Sequence, residues 1–204
     1  MNWLAHIFIS EDHIDYQLGN LLADHLKGKS WEGDSAQLEE GLKMHGTIDF
    51  FTDSHKFVQQ SKSRLGKKGY LKGIVIDIAY DHLLLKNWDL YSKVSFERFI
   101  DNFYENALTA VESYPDGAQT FVKRVISSNY LASYDSFDGL TATFQRFDRR
   151  LPSRISAKDS TANYIPSLKK ELNGIEEDFL KFFPDLVRHY KEKSGVDHEE
   201  HWLK

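Results

Sequence analysis

Cysteine is absent from the 204 residues, and proline and glycine are scarce, at 4 and 12. The first absence excludes disulfides and thiolate metal sites, so any metal must be held by His, Asp and Glu. The second favours long helices over many short strands joined by tight turns. No stretch approaches the roughly 20 apolar residues needed to cross a bilayer. The opening "MNWLAHIFISEDH" is too short and too soon acidic for a signal peptide. The expected compartment is the cytoplasm, with no membrane partner. Positive charge is not in excess either: a formal net charge of -5 argues against a general nucleic-acid binder. Internal repeats and low-complexity segments are also missing. What remains is an ordinary globular balance, 41% hydrophobic, 14% aromatic and 28% charged, at a length that fits one domain with a real core.

Helical spacing runs along most of the chain. "YQLGNLLADHLKGKSW" reads as a helix ending near Gly28. "SAQLEEGLKMHGTIDFFTDSHKFVQQSKSRL" reads as one long helix, with Ser35 as its N-cap and Leu38, Leu42, Ile48 and Phe51 at helical intervals. "IVIDIAY" alone would suit a buried strand, because it is β-branched. It runs on through "DHLLLKNW" without a break, and that length favours a helix. Ser95 caps a further helix that stops before Pro115, and "SLKKELNGIEEDFLKFFPDLVRHYKEKSG" has an amphipathic face. The expected fold is all-α: a single helical domain over 1–204, with a polar tail from about 194 that frays.

Four short stretches put unusual polar residues among apolar ones: His6; Asn20 with Asp24; His45, Asp49 and Asp53; and Asp77, Asp81 and His82. A lone buried histidine is most often a satisfied core residue, and a lone helical aspartate is usually solvated or a cap. The set is harder to dismiss. Residues four apart share a helix face, and two stacked carboxylates on a buried face need a cation or donors between them. Histidines and carboxylates on helical faces are how a cysteine-free protein builds a divalent metal site, which can activate water and polarise a phosphoryl oxygen.

Between these stretches lies a basic one. From Ser54 to Ile76 there is no acidic residue, while Lys56, Lys62, Arg64, Lys67, Lys68 and Lys72 are present. A second basic group comprises Arg146, Arg149, Arg150 and Arg154. Solvated surface explains both. So does docking of an acidic partner, with bidentate arginines for phosphate.

"MNWLAHIFIS", "GNLLAD", "MHGTIDFFTD" and "DIAYDH", followed by "FQRFDRRLP" and "FLKFFPDLV", occur in that order over most of the chain. Together they resemble the acyl carrier protein phosphodiesterase family, also called acyl carrier protein hydrolase. The resemblance implies a helical bundle akin to a divergent HD-type phosphohydrolase. It also implies hydrolysis of the phosphodiester joining 4'-phosphopantetheine to a serine of holo-acyl carrier protein, with a divalent cation, typically Mn2+. The carrier protein, small and acidic, would be the partner of Lys62, Arg64, Lys67, Lys68, Lys72, Arg149 and Arg150. Asp24, His45, Asp49, Asp77 and His82 are the candidate ligands. His6, Asn20 and Asp53 are expected behind or beside them. Asp81 is the candidate general base, and His82 or His45 the proton donor to the serine alkoxide. Two features sit oddly with the resemblance: the long polar segment "RISAKDSTANYI" and Gly46 inside a helix. The alternatives are an HD-type hydrolase of guanosine alarmones, for which no nucleoside motif is present, and a non-enzymatic helical module that holds an acidic protein.

Overall fold

Helical periodicity becomes helix throughout the described residues, 1–194 and 201–204 of a computed structural model. In chain order these are α1 (Trp3–Phe8), α2 (Ile14–Leu26), α3 (Ala36–Ser54), α4 (Lys56–Arg64), α5 (Lys72–Lys86) and the short α6 (Trp88–Tyr91). They are followed by α7 (Phe96–Ala110), α8 (Asp116–Ser127), α9 (Phe137–Asp148), the short α10 (Ser153–Ser156) and the long α11 (Ile165–Ser194). Among the described residues, β pairing is limited to one isolated bridge between Ser92 and Leu203, so the fold is all-α. No helix among them is long and apolar enough to cross a membrane.

Local chemistry sets the boundaries. Ser35 and Ser95 each accept a hydrogen bond from the backbone N–H three residues on, at Leu38 and Arg98, which satisfies a donor the helix cannot. α2 ends where Lys27 and Gly28 turn left-handed, at φ 53° and 70°. "IVIDIAY" lies in α5, which is buried almost all round: Val75, Ile76, Ile78, Ala79, Tyr80, Leu83 and Leu84 are in the core. Tyr80 packs on Phe179 and Phe182 of α11.

α2 and α3 cross backbone to backbone. A Cβ on Gly19 would collide with the Leu38 carbonyl oxygen, and one on Gly41 with the Tyr16 carbonyl oxygen. Each glycine thus lets the other helix approach, and Asn20 and Asp24 are brought against His45 and Asp49.

Two expectations are corrected. The span from Ser35 to Leu65 is two helices, because His55 is extended (φ -76°, ψ 132°) and its ring accepts the Phe57 N–H to start α4. One non-helical residue leaves no trace in periodicity. The fraying tail is the second. Residues 195–200 lie outside the described residues, but 201–204 are packed: His201 Nε2 is 2.7 Å from the Ser10 carbonyl, and Trp202 Nε1–H donates to the Phe8 carbonyl at 2.7 Å. Leu203 is fully buried, so this polar-looking end carries its own apolar anchors.

The polar segment 154–165 also has a structural use. The Asp159 carboxylate accepts from the N–H groups of Tyr70 (2.7 Å) and Leu71 (3.1 Å) and from the Tyr164 hydroxyl (2.6 Å). It thereby pins the turn between α4 and α5 against the 150–164 region.

Candidate metal centre

α1 is too short to hold itself in place, and its N-cap Asn2 makes no side-chain cap bond. Asp81 of α5 caps it instead. Its two oxygens accept from Leu4 N–H (2.8 Å) and Ala5 N–H (3.2 Å). This orients His6 towards α2, where Asn20 is fully buried. The Asn20 amide Oδ1 accepts from His6 Nδ1 at 2.8 Å, and its Nδ2 donates to the His6 carbonyl (2.8 Å) and Ser10 Oγ (3.0 Å). The Asn20 backbone carbonyl accepts from His45 Nδ1 at 2.8 Å. One residue therefore fixes both rings, which stack 4.0 Å apart. With Nδ1–H committed on each ring, Nε2 is the atom of each that could take a ligand role, and that of His6 also lies 3.2 Å from the Met1 carbonyl.

Those atoms converge on Asp49. His6 Nε2 is 3.2 Å from Asp49 Oδ1, and His45 Nε2 is 3.2 Å from Asp49 Oδ2. One ligand atom from each of His6, His45 and Asp49 lies within 4.8 Å of the others. Asp24 Oδ1 approaches His45 Nε2 at 3.5 Å from the solvent side, and the Met1 amino group bridges Asp77 (3.2 Å) and Asp49 (3.6 Å). The histidines are buried, whereas the side chains of Asp49 and Asp24 are 43% and 80% exposed, so the cluster opens on the carboxylate side.

The electrostatics fit a cation. Burial disfavours charge on His45, but Asp24 and Asp49 outweigh it and raise its pKa to about 9. Burial pushes His6 down, partly opposed by Asp49. Burial would also raise Asp49, but the two rings and the Met1 amino group hold it far below the usual carboxylate range. Without a cation, a proton on His45 thus fills the place of one. The charged contacts of the buried His45 Nε2 and Asp77 Oδ1 are to Asp49 and Asp24 and to the Met1 amino group, so positive charge is what this pocket attracts. Two imidazole nitrogens with several carboxylates suit a divalent ion of the Mn2+ to Zn2+ range.

Other candidates are placed elsewhere. Asp81 is fully buried beneath α1 with both oxygens engaged, a positioning arrangement rather than the base position read from sequence. His82 is turned away, with Nδ1 2.6 Å from the Tyr134 carbonyl. Asp53 is exposed and pairs with Lys62 at 2.8 Å. The reason is the helical pitch: four residues advance about 400°, so a face drifts about 40° at each step and about 80° from His45 to Asp53. Among the basic residues, Arg64 binds the buried Asp178 at 2.8 Å, and Lys72 donates to the Gly66 carbonyl at 2.8 Å. Lys67, Lys68, Arg149 and Arg150 are exposed. Spacing alone did not reveal the Met1 amino group or the Gly19–Gly41 crossing, since both act through backbone from a distant segment.

Asp81 gives a pH prediction. Burial lifts its pKa to about 7, against the Leu4 and Ala5 N–H groups and the Met1 amino group. Between the unfolded value of about 3.9 and about 7, the native state keeps a proton that the unfolded chain has released. Stability from this group is therefore lost as pH rises through that window, by up to about 4 kcal/mol, and is flat above it. Urea unfolding of wild type and Asp81→Asn from pH 5 to 8 should show the stability difference shifting in favour of the variant. A pH-independent difference would refute the assignment.

Comparison with known proteins gives one consistent result. A family model described as acyl carrier protein phosphodiesterase matches residues 1–186. The acyl carrier protein phosphodiesterase of Photorhabdus laumondii is 28% identical over 196 residues, covering 95% of this chain and 96% of that one. The Yersinia pestis protein of the same name is 24% identical over 195 residues, with 95% and 99% coverage. One from Escherichia coli is 25% identical over 199 residues, with 95% and 100% coverage. No solved structure matches the chain significantly.

Proposed function

The chain belongs to the acyl carrier protein phosphodiesterase family, and on that premise we propose that it hydrolyses the 4'-phosphopantetheine arm from holo-acyl carrier protein. The observation that carries the reading is the stacked His6–His45 pair, held by Asn20 with both Nε2 atoms directed at Asp49. His6, His45 and Asp49, with Asp77 beside them, would hold a divalent cation, Mn2+ by the family resemblance. Such an ion polarises a phosphoryl oxygen and lowers the pKa of water.

The chain's own residues supply the rest. Asn20 fixes the tautomer and direction of both rings. Asp24, on the open side, takes the proton of the attacking water and returns it to the departing serine oxygen. Hydroxide oxygen adds to phosphorus, the bond from phosphorus to the serine Oγ breaks, and that oxygen leaves protonated. The products are apo-carrier protein and free 4'-phosphopantetheine. Asp81 keeps α1, and with it His6, in register.

The decisive experiment incubates the protein with holo-carrier protein and Mn2+, then follows loss of the arm by mass spectrometry. Activity should vanish with excess chelator and return with Mn2+. Full activity after verified metal removal would sink the metal-dependent reading.

Docking of the acidic carrier falls to the exposed basic residues. Lys67→Glu with Lys68→Glu should raise KM for holo-carrier protein about five-fold or more at low salt, with kcat little changed. The effect should fade towards 1 M salt, as the Debye length drops from about 10 Å at 0.1 M to about 3 Å. A fall in kcat with KM intact would rule out the docking role.

A further inference from the structure

A cavity of about 410 Å³ lies between Trp3, α5 and α9, within the roughly 300–1,000 Å³ range of small-molecule sites. Its walls are mainly apolar: Trp3, Ile74, Ile78, Phe147, Leu151 and Ile155. Two of its lining residues are next in sequence to residues of the candidate metal centre. Asn2 follows Met1, whose amino group contacts Asp49 and Asp77, and Ile78 follows Asp77 on α5. The few polar groups converge at one side. Asn2 Nδ2–H donates to the Tyr134 hydroxyl at 2.6 Å, and Arg146 donates to Thr143 Oγ1 at 2.6 Å and Ser133 Oγ at 3.1 Å. The Arg146 guanidinium lies over the Tyr130 ring, 4.8 Å from its centre.

Around this cavity the two basic groups of the sequence meet. Asp159 fastens the backbone of Tyr70 and Leu71, just after Lys67 and Lys68, to the chain that follows Arg149, Arg150 and Arg154. Lys158 Nζ sits 5.9 Å from the centre of the exposed Tyr70 ring. Arg146 and Arg150 line the cavity itself. An apolar chamber with a few hydrogen-bonding groups, arginines among its lining and two lining residues next in sequence to Met1 and Asp77 suits a flexible, amide-bearing chain whose phosphate lies at that centre.

We propose that this cavity seats the pantetheine arm of the carrier-protein substrate while its phosphodiester lies at the His6–His45–Asp49 cluster. The inference rests on the phosphodiesterase reading and extends it. The methylene and geminal dimethyl groups of the arm pack on Ile74, Ile78 and Leu151, and its amides meet Asn2, Tyr134 and Thr143. Anchoring the arm orients the scissile phosphorus, which converts binding energy into positioning at the reacting bond.

Two measurements test this on the full chain. Calorimetry with pantetheine, which lacks the phosphate, should show binding to wild type. Binding should be at least ten-fold weaker in Ile74→Trp, which fills the cavity. Steady-state kinetics with Mn2+ should show the KM for holo-carrier protein rising at least ten-fold more than that for bis(p-nitrophenyl) phosphate, which has no arm. Leu151→Trp, at another lining position, serves if Ile74→Trp loses helix content. Absence of pantetheine binding to wild type, equal binding in the filled-cavity variant, or equal KM changes on both substrates would each overturn the proposal. So would uptake of an alkyl carboxylate in place of pantetheine. If wild type fails to cleave holo-carrier protein at all, the functional reading falls, and the pantetheine titration still decides what the cavity holds.

Discussion

Asp49→Ala is expected to lower kcat/KM on holo-carrier protein by more than about 100-fold while helix content stays unchanged. Asp49 faces both buried imidazole Nε2 atoms and the Met1 amino group at 3.2–3.6 Å. Its loss would remove a proposed ligand and also the anion that faces both rings. His45→Ala should have a similar effect. Asn20 is fully buried behind both rings, and losses behind a metal ligand typically cost about 10–100-fold in affinity or activity. The gradation should appear in Mn2+ titrations as well as in rates, with Asn20→Ala weakening binding less than Asp49→Ala. Asn20→Ala should also destabilise the fold, because its buried amide serves the His6 carbonyl, the Ile9 carbonyl and Ser10. Near-normal turnover in both Asp49→Ala and His45→Ala would return the cluster to a purely structural role.

Gly41→Ala and Gly46→Ala, only five residues apart on α3, are expected to have opposite signs. A methyl on Gly41 would strike the Tyr16 carbonyl, a backbone atom that cannot rotate away. Overpacking typically costs about 1–3 kcal/mol. A backbone clash at the α2–α3 crossing belongs at or above the top of that range, which lowers Tm by about 6 °C or more. The shift would also stretch the 2.8 Å bond from His45 Nδ1 to the Asn20 carbonyl, so activity should fall with stability. A Cβ on Gly46 meets nothing within 4 Å, so there alanine should stabilise the helix by roughly 0.5–1 kcal/mol. Thermal melts of both variants check this. Equal shifts would show that the crossing is not set by glycine contact.

The sequence by itself determined the all-helical class, because apolar periodicity and scarce Gly and Pro leave little room for strands. The capping serines at 35 and 95 were legible, since a cap is a local bond to a backbone N–H three residues on. The residues that the structure gathers, His6, Asn20, Asp24, His45, Asp49 and Asp77, stood out because polar groups among apolar neighbours must find compensation. Only tertiary structure decided how each was compensated. Asp77 and Asp81 are four apart on one helix, yet Asp77 pairs with the Met1 amino group while Asp81, one turn further along, caps α1. Asp53 likewise rotates off the stripe to meet Lys62. Arg64 looked like a docking residue until α11 supplied Asp178 beneath it. The α2–α3 crossing at Gly19 and Gly41, and the cavity between Trp3, α5 and α9, arise from contacts between segments far apart in the chain. Spacing along one helix specifies which residues share a face, and packing against the other helices specifies what that face meets.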